Sequence, residues 1–255
     1  MKKLIDLNAD AGESFGRWRL GADEQLLPLV SSVNVACGWH AGDPGTMRRS
    51  VELALRSSTA LGAHPGLPDL AGFGRRSMAL SPAEAADACL YQFGALRAFA
   101  DATGVPVAHV KPHGAFYGLT MKQPELADAL AEAVRSIDPQ LIVVLLAGPT
   151  AERAIERGFR VAREAFADLD YDDEGRIIIE PDPQPKDPVA CADRVLEILD
   201  GGVTAVSGKR IAVEADTICL HGDRPNAVEI AEEVRSRLGT AGVRLAPMAE
   251  VLAAR

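Results

Sequence analysis

The chain has 255 residues, 47% hydrophobic and 25% charged, with a formal net charge of -9. That composition suits a globular protein with a sizeable core, as one large domain or two small ones, and its acidity argues against a nucleic-acid backbone as partner. No apolar stretch follows Met1-Lys2-Lys3, and the longest apolar run, Leu141 to Ala147, is too short to span a bilayer, so neither a secretory signal nor membrane insertion is expected. Cys37, Cys89, Cys191 and Cys219 form no C-x-x-C pair and read as reduced thiols of a cytoplasmic protein.

The first strand is expected over Lys3 to Leu7, running into Asn8, Asp10, Gly12 and Glu13. A short helix follows over Asp23 to Val30, then a strand over Ser32 to Ala36 that ends in Cys37-Gly38-Trp39-His40. Asp43 as N-cap and Pro44 at the first helical position predict a helix to Leu61, with Met47, Val51 and Leu55 on its buried face. Ala60 to Ala63 reads as a third strand ending at His64-Pro65-Gly66. A long loop, Leu67 to Ala79, holds Asp69 and Gly72-Phe73-Gly74-Arg75-Arg76. Ser81-Pro82-Ala83-Glu84 has capping-box spacing and opens a helix that Gly104 stops.

The stretch Val107 to Tyr117 begins as a buried strand and delivers Lys111 and His113 where Pro112 and Gly114 end it. Pro124 to Ile137 is a helix, Leu141 to Leu146 a strand, Thr150 to Arg157 a helix stopped by Gly158, and Arg160 to Phe166 a sixth strand carrying Glu164. Tyr171 to Pro188 reads as a small polar insert, its Ile177-Ile178-Ile179 run a small strand or arm and Pro181 to Pro188 a loop. Val189 to Leu199 is helical, and Val203 to Ala215 is a hairpin. Thr217 to Leu220 is the seventh strand, ending in His221-Gly222-Asp223, and helices follow at Pro225 to Leu238 and Pro247 to Ala254.

Strand and helix thus alternate about seven times, without a linker that splits the chain. Parallel strands joined by helices are the natural reading. Polar residues follow nearly every strand, whereas an open sheet concentrates them at one switch point, so the expected architecture is a single seven-stranded parallel β/α barrel spanning residues 1–255. In such a barrel His40, His64, His113 and His221 converge on one mouth with Lys111, Asp6, Asp10, Glu13, Asp43, Glu164, Asp168 and Asp223. Each has a blander alternative: a turn cap for His40 and His64, a helix cap for Asp223, solvation for the carboxylates. His109, inside its strand, reads as a core or outward histidine. Burying Lys111 without a partner would be costly, which favours a role at the site.

His and carboxylate together suit proton transfer or a divalent ion of the zinc or manganese type, with His40, His64 and His113 as candidate ligands. Neither H-E-x-x-H nor paired cysteines are present. Ser207-Gly208-Lys209-Arg210 lacks the rest of a phosphate loop, while the Gly72 to Arg76 segment offers two arginines beside permissive backbone for anion contact.

Five motifs in collinear order, D-L-N-A-D-A-G-E-S-F-G from Asp6, N-V-A-C-G-W-H-A-G-D-P from Asn34, G-A-H-P-G-L-P-D-L-A-G-F-G-R-R from Gly62, H-V-K-P-H-G-A-F-Y from His109 and D-T-I-C-L-H-G-D from Asp216, resemble the LamB/YcsF family over nearly the whole chain. The resemblance implies a barrel of the glycoside hydrolase/deacetylase type. It also implies one component of an ATP-dependent 5-oxoprolinase, which opens 5-oxo-L-proline to L-glutamate in company with subunits B and C. On that reading Asp10, His40, His64, Lys111, His113, Glu164 and His221 are candidate catalytic residues. Asp6, Asn8, Arg75, Arg76, Asp216 and Asp223 are candidates for holding substrate or phosphate, with ATP as co-substrate. The alternative is a stand-alone, metal-dependent amide hydrolase or deacetylase acting on another lactam or amide. The chain departs from the family pattern at Trp39, usually Phe; at Leu169, usually Arg; and at Pro181 to Pro185, which lacks the Arg and Gly of a P-R-S-Q-P-G-A segment. Cations lost near the mouth would change how a substrate carboxylate or phosphate is held.

Overall fold

Seven parallel strands close on themselves in the computed structural model, which describes residues 3–180 and 183–255. They are β1 (Leu4–Ala11), β2 (Ser32–Ala36), β3 (Ala60–His64), β4 (Val107–Val110), β5 (Ile142–Leu146), β6 (Val161–Phe166) and β7 (Thr217–Leu220). Neighbours in this order pair, and β7 returns to β1 with Asp6 opposite Thr217 and Asn8 opposite Cys219. Arg244–Leu245 adds a short parallel pairing at the start of β1. Met1, Lys2, Pro181 and Asp182 lie outside the described residues, so part of the non-family segment Pro181 to Pro185 has no structural description.

Helices fill the crossovers, with signals at their ends that the sequence carries openly. Asp43 accepts hydrogen bonds from the Gly45 and Thr46 amides and starts helix Pro44–Ser57. Ser81 and Glu84 form a complete capping box at the head of helix Pro82–Thr103, and Gly104, at φ 77°, closes it. Two apolar clusters lie between barrel and helices, one under the helices of the first half and one joining β1, β6 and β7 to the later helices.

Several boundaries differ from expectation for physical reasons. Strand β1 runs four residues beyond Leu7, through Asn8 and Asp10 to Ala11. Polarity suggested that it stopped, but the barrel interior here is itself polar. Helix Pro44–Ser57 ends before Leu61 because Ser58 turns left-handed at φ 56°, which frees Ala60 for β3. Pro28 limits the expected Asp23 to Val30 helix to one turn, Asp23–Leu26, followed by a 3-10 turn at Leu27–Leu29. A helix not expected from sequence, Gly114–Lys122, begins directly after His113. The insert contains a two-residue antiparallel pairing, Asp170–Tyr171 with Ile177–Ile178, and Gly202–Thr204 pairs with Arg210–Ala212 as the expected hairpin.

The inside of the barrel is a hydrogen-bonded ladder. Alternation on β1 sends Ile5, Leu7 and Ala9 into the outer apolar cluster, and Asp6, Asn8 and Asp10 inward. The Asn8 amide reaches across β7 to Glu164 Oε1 at 3.0 Å, and the Asn34 amide bonds Asn8 Oδ1 at 2.7 Å and Asp10 Oδ1 at 2.8 Å. His109, buried as its bland reading held, meets Asn34 Oδ1 at 2.8 Å through Nε2. Its ring lies over Gly62, where a Cβ would approach His109 Nε2 to 2.0 Å.

Candidate functional site

The C-terminal ends of the strands bring one cluster together. Asp10 and Glu13 come from the end of β1, His40 from beyond β2, His64 from the last position of β3, Lys111 and His113 from beyond β4, Glu164 from β6 and His221 from just after β7. His40, His64, Lys111, His113, Asp10, Glu13 and Glu164 are all buried, and His221 is partly exposed.

Lys111 is the hub. Its ammonium lies 3.0 Å from Asp10 Oδ1, 3.0 Å from Glu164 Oε1 and 2.9 Å from Cys219 Sγ. Burial works against the charge, but the Asp10 carboxylate, with Cys219 and Glu164, holds the ammonium well above the ordinary lysine range. Burial would likewise raise Asp10, yet His64 and Lys111 outweigh it and keep this carboxyl well below the usual range. Asp10 is therefore a buried carboxylate, 3.5 Å from His64 Nε2.

Three imidazoles crowd the β1–β4 side. His40 and His113 stack with centroids 3.7 Å apart and planes 5° from parallel, and His64 stands at 85° to His113. The stack is possible because backbone without side chains packs against it. A Cβ on Gly66 would come within 2.3 Å of His40 Nδ1, and one on Gly74 within 2.7 Å of His40 Cβ and 2.9 Å of His113 Cδ2. Burial, reinforced by the other imidazoles, lowers both His40 and His113 well below the ordinary histidine range, so both are neutral. Glu13 Oε1 lies 3.4 Å from His40 Nε2 and 3.7 Å from His113 Nδ1, and burial together with the charge of Asp10 pushes its carboxyl well up.

The opposite side carries the opposite tendency. His221 Nδ1 is 3.1 Å from Asp168 Oδ1, and its ring stacks on Phe166 at 5.4 Å. Burial alone would lower His221, but Asp168 more than compensates and raises it. Asp168 is in turn held by the buried Arg224, whose Nε is 3.1 Å away. Donor atoms of Asp10, Cys219 and His221 lie within 4.8 Å of one another. Asp10 thus stands between a cluster in which burial lowers His40 and His113 and an imidazole that Asp168 raises.

Among the remaining candidates, Arg75 pairs with Asp223 at 2.6 Å and lies over the Phe73 ring at 4.9 Å, with about a fifth of its side chain exposed. Arg76 does not join them: it is mostly exposed and forks onto Asp69, with Nε 2.9 Å from Oδ1, fixing the loop. Asp6 and Asn8 sit deeper in the ladder. Asp6 accepts hydroxyls from Ser31, Ser32 and Thr217, and burial raises its carboxyl to about 6. Asp216 lies before the start of β7, at the other end of the barrel, where Arg163 Nε (3.0 Å) and Arg255 Nε (2.9 Å) bind it. Leu169 is buried in the apolar cluster with Phe166 and Tyr171, so its position is a core one.

Sequence reasoning left Glu13 unassigned to any role, although it lies three residues past Asp10. It also overlooked Asn34, Cys219, Arg224 and the backbone carbonyl of Phe73. Glycines on both sides of Phe73 were the one available signal for that carbonyl.

Glu13, His40, His64 and His113 offer donor atoms within 4.8 Å of one another. Glu13 Oε1 and both ring nitrogens of His40 are buried without a hydrogen-bond partner among the described residues. An orphaned carboxylate oxygen among imidazole nitrogens at this spacing suits a divalent transition ion. The four cysteines are free and buried, and no helix among the described residues is long and apolar enough to cross a membrane.

The chain is thus a closed parallel β/α barrel with a buried imidazole, carboxylate and lysine cluster at its mouth, and comparison narrows the class. The LamB/YcsF family profile matches residues 5–253, and the chain belongs to that family. It is 49% identical over 252 residues to the A component of the Pyrococcus furiosus 5-oxoprolinase, covering 97% of this chain and 99% of the relative. A crystal structure of a lactam utilization protein from Thermus thermophilus superimposes with TM-score 0.87 at 48% identity, covering 95% of this chain and 98% of the other. A T48 deacetylase shares the fold at 16% identity and TM-score 0.51, covering 99% of this chain and 92% of the other.

Proposed function

We propose that this chain is the lactam-opening component of an ATP-dependent 5-oxoprolinase, converting 5-oxo-L-proline to L-glutamate in the cytoplasm with two partner proteins, the B and C components. The substrate comes from the full-length likeness to relatives named for it. The observation that carries the chemistry is the split across Asp10, with imidazoles lowered by burial on one side and His221 raised by Asp168 on the other. Groups pushed apart in this way are how one site supplies base and acid together.

A five-membered lactam is a resonance-stabilised amide, and its opening is unfavourable without coupling. Transfer of the ATP γ-phosphoryl group to the lactam oxygen makes that oxygen a leaving group and the ring carbon an electrophile. Water then adds, its proton passing to the neutral His40 ring, whose nitrogens have no hydrogen-bond partner among the described residues. The ring C–N bond breaks, His221 protonates the departing nitrogen, and the acyl phosphate that results is hydrolysed by a second water, which releases phosphate and leaves the side-chain carboxylate. Lys111, fixed between Asp10 and Glu164, offsets negative charge that develops on oxygen. Among the described residues Arg75 has one ion-pair partner, Asp223, and its remaining guanidinium donors are the ones suited to the substrate carboxylate. A divalent metal on the imidazole face would supply a more acidic water.

That face also supports a second reading, a stand-alone metal-dependent amide hydrolase. One assay separates the two. With the partner proteins present, glutamate and phosphate should appear together, and only when both ATP and 5-oxo-L-proline are supplied. Glutamate formed without ATP would favour the second reading, and no glutamate under any condition would reject the substrate.

A further inference from the structure

His64 Nδ1 lies 2.7 Å from the Lys111 carbonyl oxygen, and His113 Nε2 lies 2.7 Å from the Phe73 carbonyl oxygen. A carbonyl only accepts, so each of those nitrogens carries the ring proton. When both rings are neutral, the other nitrogens, His64 Nε2 and His113 Nδ1, are bare lone pairs that face each other at 3.1 Å, with the Asp10 carboxylate a further 3.5 Å from His64 Nε2. Nothing in two neutral rings fills that gap: a positive centre belongs there. Phe73 sits at φ 54°, a backbone conformation that costs a side-chain-bearing residue energy, and in it the residue delivers the carbonyl that locks His113.

We propose that His64 Nε2, His113 Nδ1 and Glu13 Oε1 are the protein ligands of one divalent transition ion, and that His40 is the stacked wall of the site, not a ligand. At a metal–nitrogen distance of about 2.1 Å, two nitrogens 3.1 Å apart subtend about 95° at the ion, an ordinary angle between neighbouring ligands. Glu13 Oε1, 3.7 Å from His113 Nδ1 and without a hydrogen bond, supplies the charged donor. The carbonyls of Lys111 and Phe73 are the outer partners that fix ring orientation in such sites. His40 is excluded by its own stacking. Its plane is parallel to that of His113 at a centroid distance of 3.7 Å, so an ion in the plane of His113 lies well out of the plane of the His40 lone pairs. The His40 side chain lies close against Gly66 and Gly74, where an added Cβ would come within 2.3 and 2.7 Å of it. Two imidazoles and one carboxylate select zinc, cobalt, manganese or iron over magnesium or calcium, which prefer all-oxygen shells.

This proposal takes its catalytic meaning from the lactamase reading, but its test is binding and does not require turnover. The full chain is stripped with a chelator and titrated with Co2+ and Zn2+, following calorimetry and the visible absorption of bound Co2+, with circular dichroism as the folding control. The expected result is one ion per chain. His64→Gln and Glu13→Gln should each weaken binding by about 100-fold or more. His40→Phe, which keeps an aromatic ring in the stack, should bind within about threefold of the parent. If His40→Phe weakens binding as much as His64→Gln, His40 is a ligand and the assignment is overturned. If the stripped parent chain takes up no stoichiometric ion, the gap is bridged by a proton and the metal site does not exist.

Discussion

Replacing Asp168 with Asn tests the acid half of the site. Asp168 Oδ1 is 3.1 Å from His221 Nδ1. Two unit charges at that distance interact by about 5 kcal/mol at an effective dielectric constant of 20. Arg224 draws on the same carboxylate at 3.1 Å, and Asn keeps a neutral hydrogen bond, so the net loss is that of one charge-assisted bond, about 1.5–3 kcal/mol. At 1.36 kcal/mol per unit, the His221 pKa falls by about 1–2 units. Because Asp168 raises His221, its removal moves the alkaline limb of the rate profile to lower pH. The assay is kcat/KM for 5-oxo-L-proline against pH in the assembled enzyme, with circular dichroism to confirm the fold. The variant should approach the parent rate below the shifted limb and lose about 10- to 100-fold above it. An alkaline limb that does not move would refute His221 as the proton donor.

Asp6→Asn should stabilise the chain relative to the parent as pH rises. The native carboxyl, raised from 3.8 to about 6, binds its proton more tightly than the unfolded chain does, so the parent loses about 3 kcal/mol between those values. Thermal melts at pH 4.5 and 7.5 check this, and a variant that melts lower than the parent by the same margin at both would contradict it. Arg75→Ala should raise KM for the lactam by about 10- to 100-fold, whereas Arg76→Ala, on an exposed pair with Asp69, should change steady-state kinetics by less than about twofold. Gly74→Ala places a Cβ 2.7 Å from that of His40 at a backbone φ of 63°, and should cost about 1–3 kcal/mol in denaturant melts together with most of the activity.

The barrel was legible because each local signal agreed with it. Asp43-Pro44 and Ser81-Pro82-Ala83-Glu84 open helices, Gly104 closes one, and short apolar runs between them can only be strands. Histidines placed just after strands pointed to one rim, and His40, His64, His113 and His221 gather there with Lys111. What the sequence hid was the polar interior. Asn8 and Asp10 look like the end of a strand until Glu164, Asn34 and Lys111, up to 156 residues away, arrive to satisfy them. Distance along the chain also hid the two ends of the barrel. Asp216 and His221 are five residues apart in one motif, yet β7 lies between them and carries them to opposite ends. Arg75 and Arg76 are neighbours whose side chains part company because Asp69 captures one and Asp223 the other. Tautomers are invisible in sequence, since they depend on the carbonyls of Lys111 and Phe73.

The most direct test of the account is an experimental structure of the chain with 5-oxo-L-proline bound. The account predicts the lactam ring at the barrel mouth, its carbonyl between Lys111 and the His64–His113 face, its nitrogen toward His221 and its carboxylate on Arg75. A ring bound at the opposite end, beside Asp216 and Arg163, or outside the barrel, would contradict it.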